Sequence, residues 1–325
     1  FNNSILITGG TGSFGSEFAR NLLKKKMFKK IIIFSRDELK QHEMRNEDIF
    51  KKNSEKMRYF IGDIREKERL INSFNNVDYI VHAAALKQVD TAEYNPFEFI
   101  KTNINGTENV IQAAVTNNVK KVIALSTDKA VSPINLYGAT KLCSDKLIIA
   151  ANNIFGKIKT SFSIVRYGNV MASRGSVIPT FKKNFINGED FKITDPDMTR
   201  FNLTLKNCYD TVMWTLKNSV GGEIVIRKSP SYRIIDIAKA ISKKNKIKII
   251  GLRPGEKMHE ELIVKNDNDF IYEKGEYYIL INKTLGKKKD KIINKMKLAK
   301  KIDPFSYSSG NNSDFLSINE IKKLI

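Results

Sequence analysis

The sequence has few of the residues that hold metals or disulfides. Its 325 residues include two cysteines and three histidines, too few and too scattered for a disulfide framework or a metal-ligand cluster. No apolar run approaches the roughly 18 residues that span a bilayer, and the first residues follow a strand pattern rather than that of a signal peptide. We therefore expect a cytoplasmic protein with no metal site and no membrane segment.

Acidic residues are scarce relative to basic ones. The chain has 56 Lys and Arg against 35 Asp and Glu, a formal net charge of +21, and such an excess is typical of nucleic-acid-binding proteins. The densest basic run, residues 283–301, has nine lysines but no interleaved aromatic residues on which bases could stack. Because lysine, asparagine and isoleucine are abundant along the whole chain, we attribute the charge to overall composition and expect no nucleic-acid partner.

Strands alternate with helical stretches through the first half of the chain. This order predicts an α/β fold with a Rossmann-type, doubly wound parallel sheet covered by helices on both faces. After Arg166 the regular alternation of strands and helices ends. We expect a nucleotide-binding Rossmann domain over residues 1–167, to which residues 202–229 return, and a smaller C-terminal substrate-binding α/β domain formed by 168–201 and 230–325. The predicted strands are short apolar segments at residues 4–8, 31–34, 57–61, 79–82, 122–126 and 161–165.

A glycine-rich turn follows the first predicted strand and opens a helix. Gly9, Gly12 and Gly15 are spaced Gly-x-x-Gly-x-x-Gly at this point. Glycine permits the tight turn and lets a pyrophosphate reach the helix N-terminus, whose amides and dipole favour an anion. The strand, turn and helix together indicate a dinucleotide site.

The residues after the second and third strands bear on which dinucleotide binds. Arg36 favours NADP, because a guanidinium matches the geometry and charge of a 2′-phosphate. Asp37 keeps NAD open, because an acidic residue near this position usually holds the ribose diol. Asp63 either receives the adenine amino group or caps the following helix.

A third motif joins a hydroxyl, two charged residues and a Tyr-Lys pair. Residues 126–129 read Ser-Thr-Asp-Lys, and Tyr137 and Lys141 follow in Tyr-x-x-x-Lys spacing. Residues four apart share one face of a helix, so we predict that Lys141 lowers the pKa of the Tyr137 phenol towards values at which it takes a hydroxyl proton. In a chain that opens with a dinucleotide turn, this motif indicates hydride chemistry at a carbinol.

Together these motifs resemble the extended short-chain dehydrogenase/reductase family of nucleotide-sugar enzymes. Further segments are similar to that family's inverting 4,6-dehydratases, which act on UDP-N-acetylglucosamine in pseudaminic acid biosynthesis. The segments that carry the resemblance are 8–15, 34–41, 82–85, 102–103, 126–130, 135–141, 166–170, 173–177, 253–257 and 305–309.

The resemblance implies a hydro-lyase that oxidises C4 of the hexose, eliminates water across C5 and C6, and returns the hydride to C6. Tyr137, assisted by Lys141, would take the C4 hydroxyl proton, and Thr127 would bond the same oxygen. Lys129, in a solvent-reachable loop, would be the base at C5, and Asp128 would protonate the leaving C6 hydroxyl. Retaining relatives are expected to have an Asp-Glu pair here, so Asp-Lys predicts inversion. Lys129 must be neutral to act, which the adjacent carboxylate opposes.

The resemblance also implies the binding residues and a homo-oligomer, either a dimer or a hexamer. The NADP site would comprise Gly9, Thr11, Gly12, Ser13, Phe14, Gly15, Ser35, Arg36, Asp37, Lys40, Asp63, Ile64, Ala83, Ala84, Ala85, Lys87, Asn103, Tyr137, Lys141, Tyr167 and Asn169. The UDP-N-acetylglucosamine site would comprise Lys87, Thr127, Asn169, Arg174, Val177, Thr199, Arg253 and Glu256.

Two other functions remain open from the sequence. A UDP-sugar 4-epimerase or reductase would keep Tyr137 and Lys141 but needs no Asp-Lys pair. A regulator that binds NADP without turnover would typically lose the Tyr and the Lys, and both are present.

Overall fold

The computed structural model describes residues 3–155, 159–171, 177–242, 244–265 and 270–325. The strands are β1 (Ser4–Thr8), β2 (Lys30–Ser35), β3 (Met57–Ile61), β4 (Tyr79–His82), β5 (Lys121–Thr127), β6 (Ser161–Tyr167), β7 (Phe191–Ile193), β8 (Thr199–Phe201), β9 (Glu223–Arg227), β10 (Ser231–Arg233), β11 (Ile247–Ile249), β12 (Glu261–Ile263), β13 (Phe270–Lys274), β14 (Tyr277–Ile281), β15 (Lys300–Ile302) and β16 (Tyr307–Ser308).

The helices lie between these strands and in the last part of the chain. They are α1 (Ser13–Lys24), α2 (Glu38–Asn46), α3 (Asp48–Lys51), α4 (Lys67–Ser73), α5 (Val89–Tyr94), α6 (Pro96–Phe99), α7 (Gly106–Thr116), α8 (Leu136–Ile154), α9 (Val177–Ile186), α10 (Leu205–Asn218), α11 (Ile234–Ile241), α12 (Lys288–Met296) and α13 (Ile318–Leu324). Across the described ranges, none of them is long and apolar enough to cross a membrane.

A ten-stranded sheet forms the centre of the fold. Its first seven strands, in the order β3-β2-β1-β4-β5-β6-β9, run parallel, which confirms the predicted Rossmann-type sheet. Strands β14, β13 and β15 extend it with antiparallel pairing beyond β9. The strand order reverses between β1 and β4, and in open α/β sheets ligands bind at the carboxyl ends of the strands beside such a switch point.

Both faces of the parallel sheet are covered by helices. Ile5 and Ile7 of β1 pack with Phe18 and Leu22 of α1 on one face. The intervening Leu6 points to the other face, into the cluster covered by α4, α7 and α8. A strand that is buried on both faces reads as a continuous apolar run, and for that reason the strands could be located from the sequence.

A smaller unit packs beside the sheet. In it β8 pairs with β10 and β7 pairs with β11, and helices α9, α11 and α13 surround them. Phe181, Phe191, Ile237 and Ile321 are buried together in its core. Strand β9, which follows α10 in the chain, returns to the main sheet between these segments.

The predicted domain boundaries stay a prediction, and one segment bears on them directly. Residues 270–302, assigned from the sequence to the smaller domain, form β13, β14, α12 and β15, and their strands are hydrogen-bonded into the main sheet. Trp214 of α10 stacks on Tyr277 of β14 with ring centroids 4.4 Å apart. This part of the C-terminal sequence therefore completes the large sheet.

Candidate active site

A cleft of about 1000 Å³ runs from the switch point of the sheet to the smaller unit, at the upper end of the range for small-molecule sites. Asn103 and Thr199 do not line it, and Arg174 lies outside the described residues. The predicted residues that line it are Gly9, Thr11, Gly12, Ser13, Phe14, Gly15, Ser35, Arg36, Asp37, Lys40, Asp63, Ile64, Ala83, Ala84, Ala85, Lys87, Thr127, Asp128, Lys129, Tyr137, Lys141, Tyr167, Asn169, Val177, Arg253 and Glu256.

The glycine turn closes against the ends of β1 and β4. Gly9 has a φ of +65°, and a Cβ built on it would lie 2.9 Å from the Cα of Ala84. A Cβ on Gly15 would lie 2.6 Å from the carbonyl oxygen of Gly9. Helix α1 begins just after Gly12 without a side-chain cap, so the first amides of the helix are available to an anion at this end of the cleft.

The end of β2 presents cations to the cleft. Arg36 is half exposed. Asp37 caps α2 by accepting the Lys40 amide at 2.9 Å, and the Lys40 ammonium also contacts its carboxylate. Hydrogen bonds from Lys40 hold the pKa of Asp37 below its ordinary value. With Asp37 used in this way, Arg36 and Lys40 are the groups that suit a phosphate here.

Asp63 is held by arginines and does not cap a helix. Its Oδ1 accepts the Arg65 amide at 2.9 Å, and its Oδ2 accepts from the Arg65 guanidinium at 2.6 Å. Arg36 Nη1 lies 3.5 Å from the same Oδ2. Helix α4 begins four residues after Asp63, and its cap position is Glu66. Of the two roles considered from the sequence, the helix cap is therefore wrong, and the contact with adenine stays a prediction.

Hydrogen bonds with Thr8 and Asn103 fix the loop that follows β4. The Thr8 hydroxyl accepts from the backbone amides of Ala83 and Ala84, each at 3.2 Å. Asn103 accepts the Leu86 amide and donates to the Leu86 carbonyl, both at 2.9 Å. The side chain of Asn103 therefore positions this loop from outside the cleft wall, rather than lining the predicted cofactor site.

Tyr137 and Lys141 occupy successive turns of α8, and burial shifts the pKa values of both. Burial raises the pKa of Tyr137 to about 12, and the groups that oppose this are Lys129 and a hydrogen bond with Thr127. Lys141 donates to the Leu125 carbonyl at 2.9 Å, and burial lowers the pKa of its ammonium. The predicted lowering of the Tyr137 pKa by Lys141 stays a prediction, since burial raises this pKa and Lys129 is the cation that opposes the rise most strongly.

The Asp128-Lys129 pair is a buried cluster with a third member. Lys129 Nζ lies 3.1 Å from Asp128 Oδ1 and 2.9 Å from Glu260 Oε1. The side chains of Asp128 and Glu260 are 1% and 2% exposed, and that of Lys129 is 22% exposed. The hydroxyl of Thr127 also donates to Asp128 Oδ1, at 2.9 Å. Lys129 thus bridges two carboxyl groups at the base of the cleft.

The three ionisable groups of this cluster are shifted in different directions. Burial, reinforced by Glu260, raises the pKa of Asp128 despite Lys129. Burial alone would lower the pKa of Lys129, but the carboxylates of Asp128 and Glu260 raise it well above its ordinary value. Burial alone would raise the pKa of Glu260, but Lys129 and Arg200 hold it below its ordinary value. Relative to the same groups in water, the site therefore shifts Asp128 towards its protonated form, and Lys129 and Glu260 towards their charged forms.

The far end of the cleft carries a line of charges. Arg253 donates to the Glu256 carboxylate through Nη2 at 3.0 Å and Nε at 3.1 Å. Thr194 Oγ1 donates to the same carboxylate at 3.1 Å. Arg200, behind them, lies 3.6 Å from Glu256 and 3.8 Å from Glu260. Arg200 thus connects Glu256, one of the predicted nucleotide-sugar residues, with Glu260 of the Asp-Lys cluster.

The other predicted substrate residues have different environments. Asn169 and Val177 line the cleft, and within the described part of the chain the buried Oδ1 of Asn169 has no hydrogen-bond partner. The Thr199 hydroxyl is instead taken by His259 Nδ1 and Ser309 Oγ, each at 2.8 Å. We therefore place Thr199 behind the cleft wall, where it supports Arg200.

Two functional candidates, Arg200 and Glu260, were missed from the sequence. Both line the cleft and contact other charged groups there. In the sequence, Glu260 is marked only by the cluster of acidic and basic residues in segment 253–261, and Arg200 only by its position after Thr199. Neither signal could have been assigned to the Asp-Lys pair, because more than 70 residues separate each from it in sequence.

A dinucleotide fits this cleft on observations independent of any resemblance. The turn at Gly9 and Gly15 leaves no space for Cβ atoms and exposes helix amides beside it. Among the described residues, Asp128 Oδ2 and Asn169 Oδ1 are buried polar atoms without partners, and they suit hydrogen-bonding groups of a ligand. In that same set of residues, no group of three His, Cys, Asp or Glu side chains could hold a metal.

The fold and the cleft define a short-chain dehydrogenase/reductase type of protein, with its dinucleotide turn and Tyr-Lys helix. A family model described as polysaccharide biosynthesis protein matches residues 5–282. The chain belongs to that family.

Comparison with individual proteins confirms the resemblance inferred from the sequence. A protein of Campylobacter jejuni named UDP-N-acetylglucosamine 4,6-dehydratase (inverting) is 51% identical over 99% of this chain and 97% of its own length. A UDP-glucose 4-epimerase of Rickettsia bellii is 43% identical over 99% of this chain and 95% of its own. The X-ray structure of Pen from Bacillus thuringiensis superposes with a TM-score of 0.89 and 38% identity, over 99% of this chain and 98% of that one.

Proposed function

We propose that the protein is a hydro-lyase that dehydrates UDP-N-acetylglucosamine across C5 and C6 and inverts C5. The product would be UDP-2-acetamido-2,6-dideoxy-β-L-arabino-hex-4-ulose. The observation that carries the proposal is the buried pair of Asp128 and Lys129 beside Tyr137, because it supplies an acid, a base and a phenol within one cleft. The 51% identity to inverting dehydratases of Campylobacter jejuni supports the substrate and the stereochemistry.

The cofactor in this proposal is NADP. A nicotinamide bound here would accept a hydride from C4 of the sugar and return a hydride to C6. The glycine turn and the first amides of α1 would hold the pyrophosphate, and Arg36 with Lys40 would hold the 2′-phosphate. Asn169, whose amide oxygen has no partner among the described residues, would accept a hydrogen bond from a ligand amide or hydroxyl.

Tyr137 and Thr127 serve the C4 hydroxyl in this mechanism. Thr127 and Tyr137 are already hydrogen-bonded to each other, so an alcohol oxygen between them would contact both. Tyr137 would take the C4 proton, assisted by the positive charge of Lys141 one turn further along α8, which favours the phenolate. The hydrogen bond from Lys141 to the Leu125 carbonyl would hold its ammonium in place for this role.

Asp128 and Lys129 serve the elimination. Once C4 is a ketone, the C5 hydrogen is acidic, and Lys129 in its amine form would remove it. Asp128 would protonate the leaving C6 hydroxyl, and the burial that raises its pKa keeps its proton available for this purpose. Activity should fall as pH rises through that raised pKa, because an ionised Asp128 has no proton to give.

A second candidate is a UDP-sugar 4-epimerase, the function in the name of the Rickettsia bellii relative. An epimerase needs the Tyr and the Lys of α8, but it has no leaving hydroxyl at C6 for Asp128 to protonate. It would return an isomer of the substrate with unchanged mass.

Incubation with UDP-N-acetylglucosamine in deuterated water separates these functions. We expect loss of one water by mass spectrometry, deuterium at C5, ring proton couplings of the L-arabino product, and no accumulation of reduced cofactor. Asp128→Asn, which keeps the shape of the carboxyl but has no acidic proton, should bind ligands yet lose dehydration. An isomer of unchanged mass would favour the epimerase, and retention at C5 would contradict the inverting assignment.

The pathway and the assembly state belong to the same proposal. A 4-keto-6-deoxy sugar of this configuration would enter pseudaminic acid biosynthesis, through a reaction class that converts the 4-ketone. The expected homo-oligomer, dimer or hexamer, stays a prediction, to be measured by light scattering of the purified protein.

A further inference from the structure

Glu260 occupies a position that the mechanism above does not use. It lies just before β12, at an edge pinned to Ser309: its amide donates to Ser309 Oγ at 2.9 Å, and the Ser309 amide donates to its carbonyl at 2.8 Å. Its side chain is 2% exposed and meets Lys129 Nζ at 2.9 Å. Oε2 has no hydrogen-bond partner among the described residues. The carboxylate is thus fixed in place with one oxygen on Lys129 and one unused.

The proposed elimination requires a group that accepts a proton from the Lys129 ammonium. Lys129 can remove the C5 hydrogen only as a neutral amine, yet its ammonium here bridges two carboxyl groups. An Asp128 that already carries the proton it gives to the C6 oxygen, the form that burial favours, cannot also accept one from Lys129. The remaining oxygen within hydrogen-bond distance of Lys129 Nζ in the described structure is Glu260 Oε1.

Resting on the proposed function, we infer that Glu260 is a positioning residue that takes a proton from Lys129 when the sugar binds. Lys129-NH₃⁺ and Glu260-COO⁻ become Lys129-NH₂ and Glu260-COOH, with one N–H bond broken and one O–H bond formed. A bound sugar excludes water from the cluster, and desolvation disfavours the ion pair relative to the neutral pair. The transfer needs no movement of the backbone.

The elimination that follows needs no further proton acceptor. Lys129-NH₂ takes the C5 proton and becomes Lys129-NH₃⁺, while Asp128-COOH gives its proton to the C6 oxygen, which leaves as water. Lys129-NH₃⁺ then returns a proton to Asp128-COO⁻ across the 3.1 Å contact. This restores the amine and the acid while Glu260 keeps its proton. The proton that completes C5 on the opposite face comes from solvent.

The charges that face the cluster come from several elements. Asp128, Tyr137, Tyr232 and Arg200 face Lys129. Glu260 is faced by Lys129, Arg200 and, at longer range, Lys257. Arg200 also contacts Glu256, which offsets part of its charge. Because Arg200 favours the ionised form of Glu260, the transfer in this inference awaits the sugar and does not occur in the free protein.

The test is Glu260→Gln, which keeps the hydrogen bond to Lys129 but cannot accept its proton. We expect kcat at pH 7 to fall by about 100-fold or more, the usual size of a general acid–base contribution. Lys129 must then lose its proton to bulk water, so kcat should rise with pH above 7, by about tenfold per unit, until the pH reaches the pKa of Asp128. The kinetic isotope effect with substrate deuterated at C5 should also increase, because removal of that hydrogen becomes limiting.

Two further variants make the test decisive. Glu261→Gln removes a neighbouring carboxylate that does not line the cleft, and it should keep wild-type kinetics. Glu260→Asp keeps an acceptor but lengthens the proton path, so it should give an intermediate kcat and a raised isotope effect. Thermal unfolding and cofactor binding, unchanged in each variant, show that the fold is intact. If Glu260→Gln does not fold, Glu260→Asp with wild-type kcat and isotope effect would overturn the inference.

Other outcomes also decide the matter. Wild-type or higher kcat at pH 7 in Glu260→Gln would mean that Glu260 only raises the pKa of Lys129, and this would refute the inference. A loss of kcat without the pH slope or the isotope effect would indicate a structural role and refute it too. If the wild-type protein itself releases no water from UDP-N-acetylglucosamine, the proposed function fails, which is distinct from failure of a variant.

Discussion

At the residue scale, the chemistry of the cleft depends on the burial of its charged side chains. Lys129 was expected in a solvent-reachable loop, whereas it is mostly buried between two carboxyl groups. Removing it would leave Asp128 and Glu260 buried without their cation, which costs about 3–5 kcal/mol in comparable cases. Lys129→Ala should therefore destabilise the fold as well as the chemistry, and isosteric variants of its partners are better probes.

Arg36 carries the prediction on cofactor choice. Replacing it by aspartate should weaken NADP at least tenfold and change NAD affinity by no more than a few-fold, because only NADP has the 2′-phosphate that a guanidinium pairs with. Fluorescence titration of the purified protein with both nucleotides measures this. Arg58→Asp makes the same charge change on β3, where Arg58 donates to backbone carbonyls outside the cleft, and should leave both affinities unchanged. Equal weakening of NADP and NAD by Arg36→Asp would contradict the assignment.

Residues of the site could be predicted from the sequence where the chemistry lies in a short motif. The glycine turn, residues 126–129 and the Tyr-Lys pair are each local, so a strand or helix alone fixes their geometry. Glu260 and Arg200 reach the cleft only through pairing between distant segments, β12 with β16 and β8 with β10. Asn103 was in a recognised motif, but its contact with Leu86 depends on a loop whose path the sequence does not determine.

At the scale of elements, the turn between β1 and α1 has the least tolerance for change. Gly12 donates from its amide to the Gly9 carbonyl at 2.9 Å, and the oxygen of the same carbonyl would lie 2.6 Å from a Cβ on Gly15. The backbone here is packed against backbone, which cannot move aside as a flexible side chain can. The anion site at the start of α1 therefore depends on glycine at these positions.

Gly15→Ala tests this element. The new methyl group would force the turn away from α1, so we expect cofactor affinity to fall more than tenfold and the free energy of unfolding to drop by about 1–3 kcal/mol. Titration and urea denaturation measure the two effects. Gly188→Ala is the control, because Gly188 also has a positive φ, of +69°, but its Cβ would meet nothing within 4 Å. It should cost about 1–2 kcal/mol of stability and leave cofactor affinity unchanged; equal affinities in both variants would contradict the proposed role of the turn.

At the scale of the whole molecule, a buried histidine joins the centre of the sheet to the helices behind it. His82 ends β4, and its ring nitrogens contact Thr8 Oγ1 at 2.8 Å and Thr107 Oγ1 at 3.2 Å. Burial, with a further contribution from Lys141, lowers the pKa of His82 to about 3. His82 is therefore neutral in the folded protein and serves packing rather than proton transfer.

This histidine makes the folded protein sensitive to mild acid. The unfolded chain binds a proton at His82 near its ordinary pKa of 6.5 and the folded one does not, so stability is present above pH 6.5 and is lost as pH falls towards 3. From pH 6.5 to pH 5 the loss should be roughly 1.5 kcal/mol. Urea denaturation should show that His82→Gln, although less stable at pH 7, loses less over this interval. His42→Gln changes an exposed histidine of α2 and should match the wild-type loss; a wild-type loss in His82→Gln would contradict the prediction.

The antiparallel extension of the sheet has a consequence for synthesis of the protein. The ribosome synthesises β9 well before β14, yet within the described residues it is β14 that forms hydrogen bonds along the outer edge of β9. Until Tyr277–Ile281 has left the ribosome, the nascent chain therefore exposes an apolar strand edge of the kind that recruits other chains. Pairing of β14 with β9 thus protects this edge from aggregation, and the edge stays open until β14 has been synthesised.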